Sequence, residues 1–260
     1  MNSPAGLNTR QAEILDLVSQ HGFASVSELA LTFGVSDMTI RRDARELARR
    51  GMARIVHGGI SMANGTANTS DFGERASREA EGKEKIARAC VSMISERETL
   101  IIDAGTTCYE IARGLPRDFQ GTIITHSAPA IQQCLRLTSA RTICLGGELL
   151  HDSQAFIGEM AVASISRLRA QKAFIGAAAV RPDGLYVDRD LELAAKRALI
   201  RAADQVIVVA TAGKMGHSAL VHLMDFSPVD ILVTDAPPPP EITAALDESG
   251  VEVVIARPDA

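Results

Sequence analysis

Apolar residues change their spacing near residue 99, and that change divides the chain in two. From Asn8 to about Gln20 the residues Ile14, Leu15, Leu17 and Val18 recur at helical spacing. Asn8 and Gln11 stand as an N-cap box, and His21-Gly22 ends the helix. Ala24 to Val26 reads as a short strand. A second short helix follows, capped by Ser27 or Ser25, with Ser25 and Glu28 at capping-box spacing. Phe33-Gly34-Val35-Ser36 links it to an amphipathic helix over residues 36–50, SDMTIRRDARELARR. Its buried stripe is Ile40, Ala44 and Leu47, its cap Ser36 and its stop Gly51. Met52 to Val56 reads as extended and Gly58-Gly59 as a turn. Small polar residues without a period fill 61–73 and read as a linker. A helical pattern returns from Glu74 to about Ser95, with Ile86, Ala87, Cys90, Val91 and Ile94 on its apolar side.

From Thr99 onward, short apolar runs alternate with helical segments. The runs are 100–102, 122–125, 142–145, 173–175, 206–210, 231–233 and 251–255; the helices lie near 107–114, 128–137, 159–168, 190–203 and 240–249. Continuously apolar runs are what strands covered on both faces require. The alternation predicts an α/β domain with a mostly parallel sheet. The tetraproline 237–240 either stiffens the lead-in to the last helix or serves as a recognition segment, and the structural role is the expectation. The expected layout is residues 1–60, a linker over 61–73, and residues 74–260.

Charge adds a function to the first part. Residues 38–54 hold six arginines against Asp43 and Glu46, a net of +4, within a chain of net charge −5. An arginine-lined helix is either a solvated face or a phosphate-tracking one, and this concentration on one element favours the second. Ala30, Gly34 and Ile40 fall where a helix-turn-helix needs a small residue, a tight turn and a buried aliphatic contact. With the extended segment after Gly51, this predicts a winged helix-turn-helix. Ser36, Met38, Thr39, Arg41, Arg42 and Arg45 are then the candidate DNA contacts. The ribbon would bring Arg54 and His57 near the DNA backbone, although His57 serves equally well as a turn residue. Asp43 cannot favour phosphate and is expected to orient an arginine.

Composition excludes more than it assigns. The N-terminus, MNSPAGLNTR, has no apolar run of signal-peptide length and no later stretch reaches membrane-spanning length, so the expectation is a cytoplasmic protein with no membrane partner. Cys90, Cys108, Cys134 and Cys144 sit among apolar neighbours without a CxxC pair and read as reduced core cysteines. None of the six histidines forms a HExxH-type pair, and no metal or cofactor is expected.

In a parallel α/β sheet, ligands bind beyond the carboxyl ends of the strands. There the first run reads Ile102-Asp103-Ala104-Gly105-Thr106-Thr107 and opens a helix whose free amides can hold an anion. It matches neither GxGxxG nor GxxxxGK[ST], which argues against a dinucleotide or ATP. Later runs end in Thr125-His126-Ser127, in Gly146-Gly147 and in Gly176, and one is followed by Thr211-Ala212-Gly213-Lys214. Glu192 and Lys196 lie on a helix between the last two. Each alone is a turn or cap; together on one sheet edge they favour a small phosphorylated ligand.

Val35-Ser36 followed by Thr39-Ile40-Arg41-Arg42-Asp43, then His57-Gly58-Gly59, resembles the DeoR family of bacterial regulators of sugar metabolism. Phe72 with Arg75, Glu84-Lys85, residues 103–107, Gly146-Gly147, Phe174-Ile175-Gly176, Glu192 with Lys196, and Lys214 extend the match over nearly the whole chain. The resemblance implies a transcriptional regulator, usually a repressor of a carbohydrate operon, whose second domain is similar to sugar-phosphate isomerases and senses a phosphorylated sugar. It implies that Gly105, Thr106 and Thr107 hold the phosphate and that Glu192, Lys196 and Lys214 face the polar groups of the ligand; Asp103, His126, Ser127, Gly146, Gly147 and Gly176 complete the candidate pocket. Three positions depart from the family pattern: His126 where Asn is common, Thr211 where Asp is frequent, and Ala44 where Leu usually follows the arginine pair and its aspartate.

A runner-up reading is a sugar-phosphate isomerase with a DNA-binding arm. Isomerisation needs a base over the carbon acid and an acid near the carbonyl. Ala177, Ala178 and Ala179 occupy the place where the related isomerases carry acidic residues, so a binding domain without catalytic residues is the expectation. One module this small binds DNA weakly, so a homo-oligomer, dimer or tetramer, reading repeated half-sites of a double-stranded operator is expected.

Overall fold

The computed structural model describes residues 7–21, 23–56, 59–62, 72–217 and 219–257. They belong to two compact units, residues 1–78 and 79–260. The first runs α1 (Thr9–His21), β1 (Phe23–Ser25), α2 (Val26–Phe33), α3 (Asp37–Arg49), β2 (Ala53–Val56), β3 (Gly59–Met62) and α4 (Phe72–Ser77). Both bonds of the Asn8–Gln11 box form, at 2.8 and 3.3 Å. Ser25, rather than Ser27, caps α2, with the reciprocal Glu28 bond in place. The stripe Ile40, Ala44 and Leu47 is buried against Ile14, Val18, Leu29 and Ile60. The ribbon is a three-stranded antiparallel sheet in the order β1-β3-β2. Gly59, expected in the turn, already pairs with Val56, and Ser61 and Met62, expected in the linker, continue that strand. β1 pairs with the other side of that strand.

The second unit runs α5 (Ala80–Ser92), β4 (Thr99–Ile102), α6 (Thr106–Gly114), β5 (Thr122–Thr125), α7 (Ala128–Cys134), β6 (Arg141–Cys144), β7 (Glu148–Leu150), β8 (Ala155–Ile157), α8 (Glu159–Ile165), β9 (Ala170–Gly176), β10 (Ala179–Arg181), β11 (Gly184–Val187), α9 (Leu193–Arg201), β12 (Ala203–Val209), β13 (Val221–Met224), β14 (Ile231–Thr234), α10 (Pro240–Glu248) and β15 (Glu252–Ile255). All seven expected strands join one parallel sheet in the order β15-β14-β12-β9-β4-β5-β6. Side chains alternate between two cores. Leu100, Ile102, Ile123, Phe174 and Ile207 pack with Ile86, Ile111 and Cys134 of α5, α6 and α7. Ile101, Ile124, Ile175 and Val208 pack with Ile165, Leu199 and Leu246 of α8, α9 and α10. Helices thus cover both faces, which is why the strands read as unbroken apolar runs.

Three expectations need correction. The helix from Glu74 to Ser95 is two helices, α4 and α5, because Glu79 takes a left-handed conformation (φ 52°) and its carboxylate accepts a 2.7 Å bond from the Thr211 hydroxyl. Cys144 is exposed, unlike Cys90, Cys108 and Cys134, because β6 is an edge strand. Beside the parallel sheet lie the hairpin β7–β8 and an antiparallel set β10-β11-β13 that the apolar pattern does not predict. The prolines at 237–240 lead into α10, with Pro240 at its first turn.

Candidate functional site

In the first unit, α3 is anchored so that its arginines face outward. Ser36 Oγ accepts from the Thr39 amide at 3.3 Å and lies 3.0 Å from the Thr39 hydroxyl. Such a cap is worth about 1 kcal/mol. Gly34 closes α2 at φ 62°, a conformation that a β-carbon disfavours. Met38 is 65 % exposed, and Arg41, Arg42 and Arg45 are exposed with no ion pair or hydrogen bond among the described residues. Arg49 and Arg50 instead pair with Glu46, at 2.8 and 2.7 Å. Asp43 does orient an arginine, but one from α1: Arg10 Nε lies 2.6 Å from it and Gln11 Nε2 3.1 Å. That buried junction ties α1 to α3 and takes the Asp43 charge off the outer face, where Arg41, Arg42 and Arg45 stand exposed. Arg54 lies on β2 opposite Ser61; its side chain and His57 lie outside the described residues.

In the second unit the strand order reverses between β4 and β9: β5 and β6 extend to one side, β12, β14 and β15 to the other. A crevice opens at the carboxyl ends of strands at such a switch point. Asp103, 0 % exposed, follows β4 there. Its Oδ2 accepts the Gly176 amide at 2.9 Å and pairs with the Lys196 ammonium, and its Oδ1 lies 3.0 Å from His126 Nε2. Burial pushes the Asp103 carboxyl up, but Lys196 and the His126 hydrogen bond outweigh it and hold the group at about 2. Burial likewise disfavours the Lys196 ammonium, yet Asp103 and Glu192 together raise its pKa. Both Asp103 oxygens are engaged, so this residue positions its neighbours.

Lys196 Nζ also donates to Gly176 O at 3.0 Å, and Lys214 Nζ to the next carbonyl, Ala177 O, at 2.7 Å. Two ammonium groups therefore converge on the turn after β9. Across the switch point α6 begins at Thr106, with Gly105 at φ 137° before it. The amides of Thr106 and Thr107 have no acceptor among the described residues, and Thr107 Oγ1 is buried without a partner. The helix dipole adds partial positive charge at that end. Together these groups suit a small anion bearing several oxygens.

Other candidate residues have structural work. Ser127 is fully buried, and its Oγ caps α7 by accepting from Ala130 at 3.3 Å. A β-carbon on Gly147 would stand 2.3 Å from Ile157 O, so this glycine lets β8 pass close by, while Gly146 faces open space. Glu192 is half-buried and acts on Lys196 through space. Sequence reasoning missed Glu79 and Asp235, which hold the loop bearing Lys214 through Thr211 Oγ1 and the Ala212 amide, both at 2.7 Å. Only a steric sign pointed to them: Gly82 and Gly213 are small because those carboxylates abut them. Among the described residues no group of His, Cys, Asp and Glu could hold a metal ion, and no helix is long and apolar enough to cross a membrane.

Comparison with known proteins gives the same two-part division. A DeoR-like helix-turn-helix domain matches residues 10–66 and a DeoR C-terminal sensor domain residues 78–236. The glycerol-3-phosphate regulon repressor of Escherichia coli K12 is 33 % identical over 245 residues, 94 % of this chain and 97 % of its own. The HTH-type transcriptional repressor CsqR of the same strain is 29 % identical over 97 % of each chain. The HTH-type transcriptional regulator GlpR of Haloferax volcanii is 30 % identical over 94 % of this chain and 96 % of its own. Ribose 5-phosphate isomerase A of Methanocaldococcus jannaschii aligns over 51 % of this chain at 15 % identity and a TM-score of 0.37, too loose a likeness to carry any argument. A capped, outward-facing arginine helix in one matched domain and an anion-suited switch point in the other leave one assignment: the chain belongs to the DeoR family and is a transcriptional regulator rather than an enzyme.

Proposed function

We propose that this regulator is a repressor of a carbohydrate-utilisation operon and that a phosphorylated sugar or polyol, bound at the β4–β9 switch point, modulates its hold on DNA. The reading rests above all on one observation: among the described residues the amides of Thr106 and Thr107 and the buried Thr107 hydroxyl have no acceptor, while two ammonium groups meet the turn after β9. Gly105 lets the chain approach a phosphate closely, and Lys196 and Lys214 supply countercharge. Ser36, Met38, Thr39, Arg41, Arg42 and Arg45 meet the double-stranded operator, with Arg54 and His57 near its backbone. One or two bidentate arginine–guanine pairs per half-site, each worth about 1–3 kcal/mol, supply specificity. A module this small reads repeated half-sites as a homo-oligomer, dimer or tetramer, and it works in the cytoplasm, where the operator is. No cofactor is needed beyond the effector.

The test is a DNA-shift assay on the protein's own upstream region with a panel of phosphorylated sugars that includes glycerol 3-phosphate. One or more should change the shift, and the same panel should show no aldose–ketose turnover. Absence of any DNA shift at low salt would end the regulator reading of the site, and turnover would end the binding-only reading of the pocket.

A further inference from the structure

His126 is 3 % exposed, and its ring nitrogens meet three groups from other elements. Nδ1 lies 2.9 Å from the Phe156 carbonyl on β8, Nε2 lies 3.0 Å from Asp103 Oδ1, and the Ala104 amide points at the same Nε2 from 3.2 Å. A carbonyl only accepts, so Nδ1 carries a hydrogen. Nε2 then has two partners that want opposite things. As an imidazolium it donates to Asp103 and leaves the Ala104 N–H facing another N–H. As a neutral ring it accepts from Ala104 and turns its lone pair on a carboxylate. Each charge state leaves one buried group badly matched.

The group that changes hands is an amide of the anion loop. It directly precedes Gly105, and beyond it stand the amides of Thr106 and Thr107 and the Thr107 hydroxyl, which have no partner among the described residues. The charged groups around the ring have fixed partners of their own. Lys196 and the Gly176 amide occupy Oδ2 of Asp103, which stays ionised at any physiological pH. Burial keeps the Cys108 thiol neutral, Lys214 is bonded to Ala177 O, and on its own strand end Thr125 and Ser127 carry only hydroxyls.

We propose that His126 couples anion binding in this pocket to proton uptake: the imidazolium releases the Ala104 amide to the anion, and the neutral ring takes it back. This deepens the sensor reading above and rests on it. Anion affinity should be fully present while the ring is charged and should fall as pH rises through its titration, by up to tenfold per pH unit for one linked proton.

Inorganic sulfate is the probe, because it keeps both charges over this range whereas a phosphate ester titrates near pH 6. Calorimetry on the full chain from about pH 5.5 to about pH 8.5, in two buffers of different protonation enthalpy, should show affinity falling with pH and up to one proton taken up per sulfate. The His126→Asn variant should give a flat profile. In the wild-type protein, saturating sulfate or any phosphorylated sugar that binds should raise the midpoint of the His126 ring-proton titration seen by NMR, a readout that needs no variant. If anions bind with an unmoved His126 titration and no proton uptake, this proposal is wrong and the sensor reading survives. If neither sulfate, phosphate nor any phosphorylated sugar binds at any pH, both fall together.

Discussion

Asp103 has no surface in water, yet it is charged and fully partnered, and that makes it the residue whose neighbours are most sensitive to change. Removing one member of a buried ion pair leaves the other uncompensated, at a cost of about 3–5 kcal/mol. Lys196→Met should therefore lower the unfolding free energy of the sensor unit by that order in chemical denaturation, and adding Asp103→Asn should recover part of the loss. Because the folded Asp103 carboxyl sits at about 2, below its unfolded value, its contribution is complete above about pH 4 and lost as pH falls toward about 2. On the order of 2 kcal/mol of stability should disappear over that interval in an acid titration followed by circular dichroism, and an Asp103→Asn chain should lack this component. Arg42 is the opposite case: exposed, it has no ion pair or hydrogen bond among the described residues. Arg42→Ala should leave the melting temperature within about 4 °C, since surface changes are usually within about 0.5 kcal/mol, while specific operator footprints vanish and sulfate binding persists.

Whole elements show which features of the fold an apolar pattern can carry. The seven parallel strands were legible because each is sandwiched between two helical layers and so reads as one unbroken run. α3 was legible because its stripe, cap and stop agree. The β10-β11-β13 set was not, since β11 and β13 are short and meet across α9 and β12, and nothing local marks such a pairing. Nor was the break between α4 and α5. A period of apolar residues says nothing of the one backbone angle at Glu79, which the Thr211 bond from across the unit supports. The candidate pocket divides in the same way: residues that stand at strand ends were found, but the pairing of Asp103 with both Lys196 and His126 is a matter of distance in space. Glu79→Ala keeps the left-handed backbone and strands the fully buried Thr211 hydroxyl. It should cost about 1–3 kcal/mol in chemical denaturation, more than Glu79→Gln, which can still accept that bond.

At the scale of the whole molecule the chain sets 27 Lys and Arg against 32 Asp and Glu, while α3 and its flank concentrate six of those arginines. Outside residues 38–54 the chain carries a net −9, its total of −5 less the +4 of that segment, so α3 and its flank supply the attraction to DNA and operator affinity should fall steeply with salt, with a log–log slope that drops by about one for each phosphate-contacting arginine removed from each DNA-bound site. Regulation requires more than two binding events on one chain. If the effector changes operator affinity by a factor, the operator must change effector affinity by the same factor, because the two measure one coupling free energy. About 1–3 kcal/mol would give a 5- to 150-fold effect in each direction. Titrating the full chain with the active sugar phosphate, with and without saturating operator, should therefore reproduce the ratio seen when operator is titrated with and without effector. Thr106→Ala with Thr107→Ala should bring both ratios to one while leaving the effector-free operator affinity unchanged. Ratios that stay away from one in this double variant would mean that the sugar phosphate acts on the DNA complex by some route other than the pocket at the β4–β9 switch point.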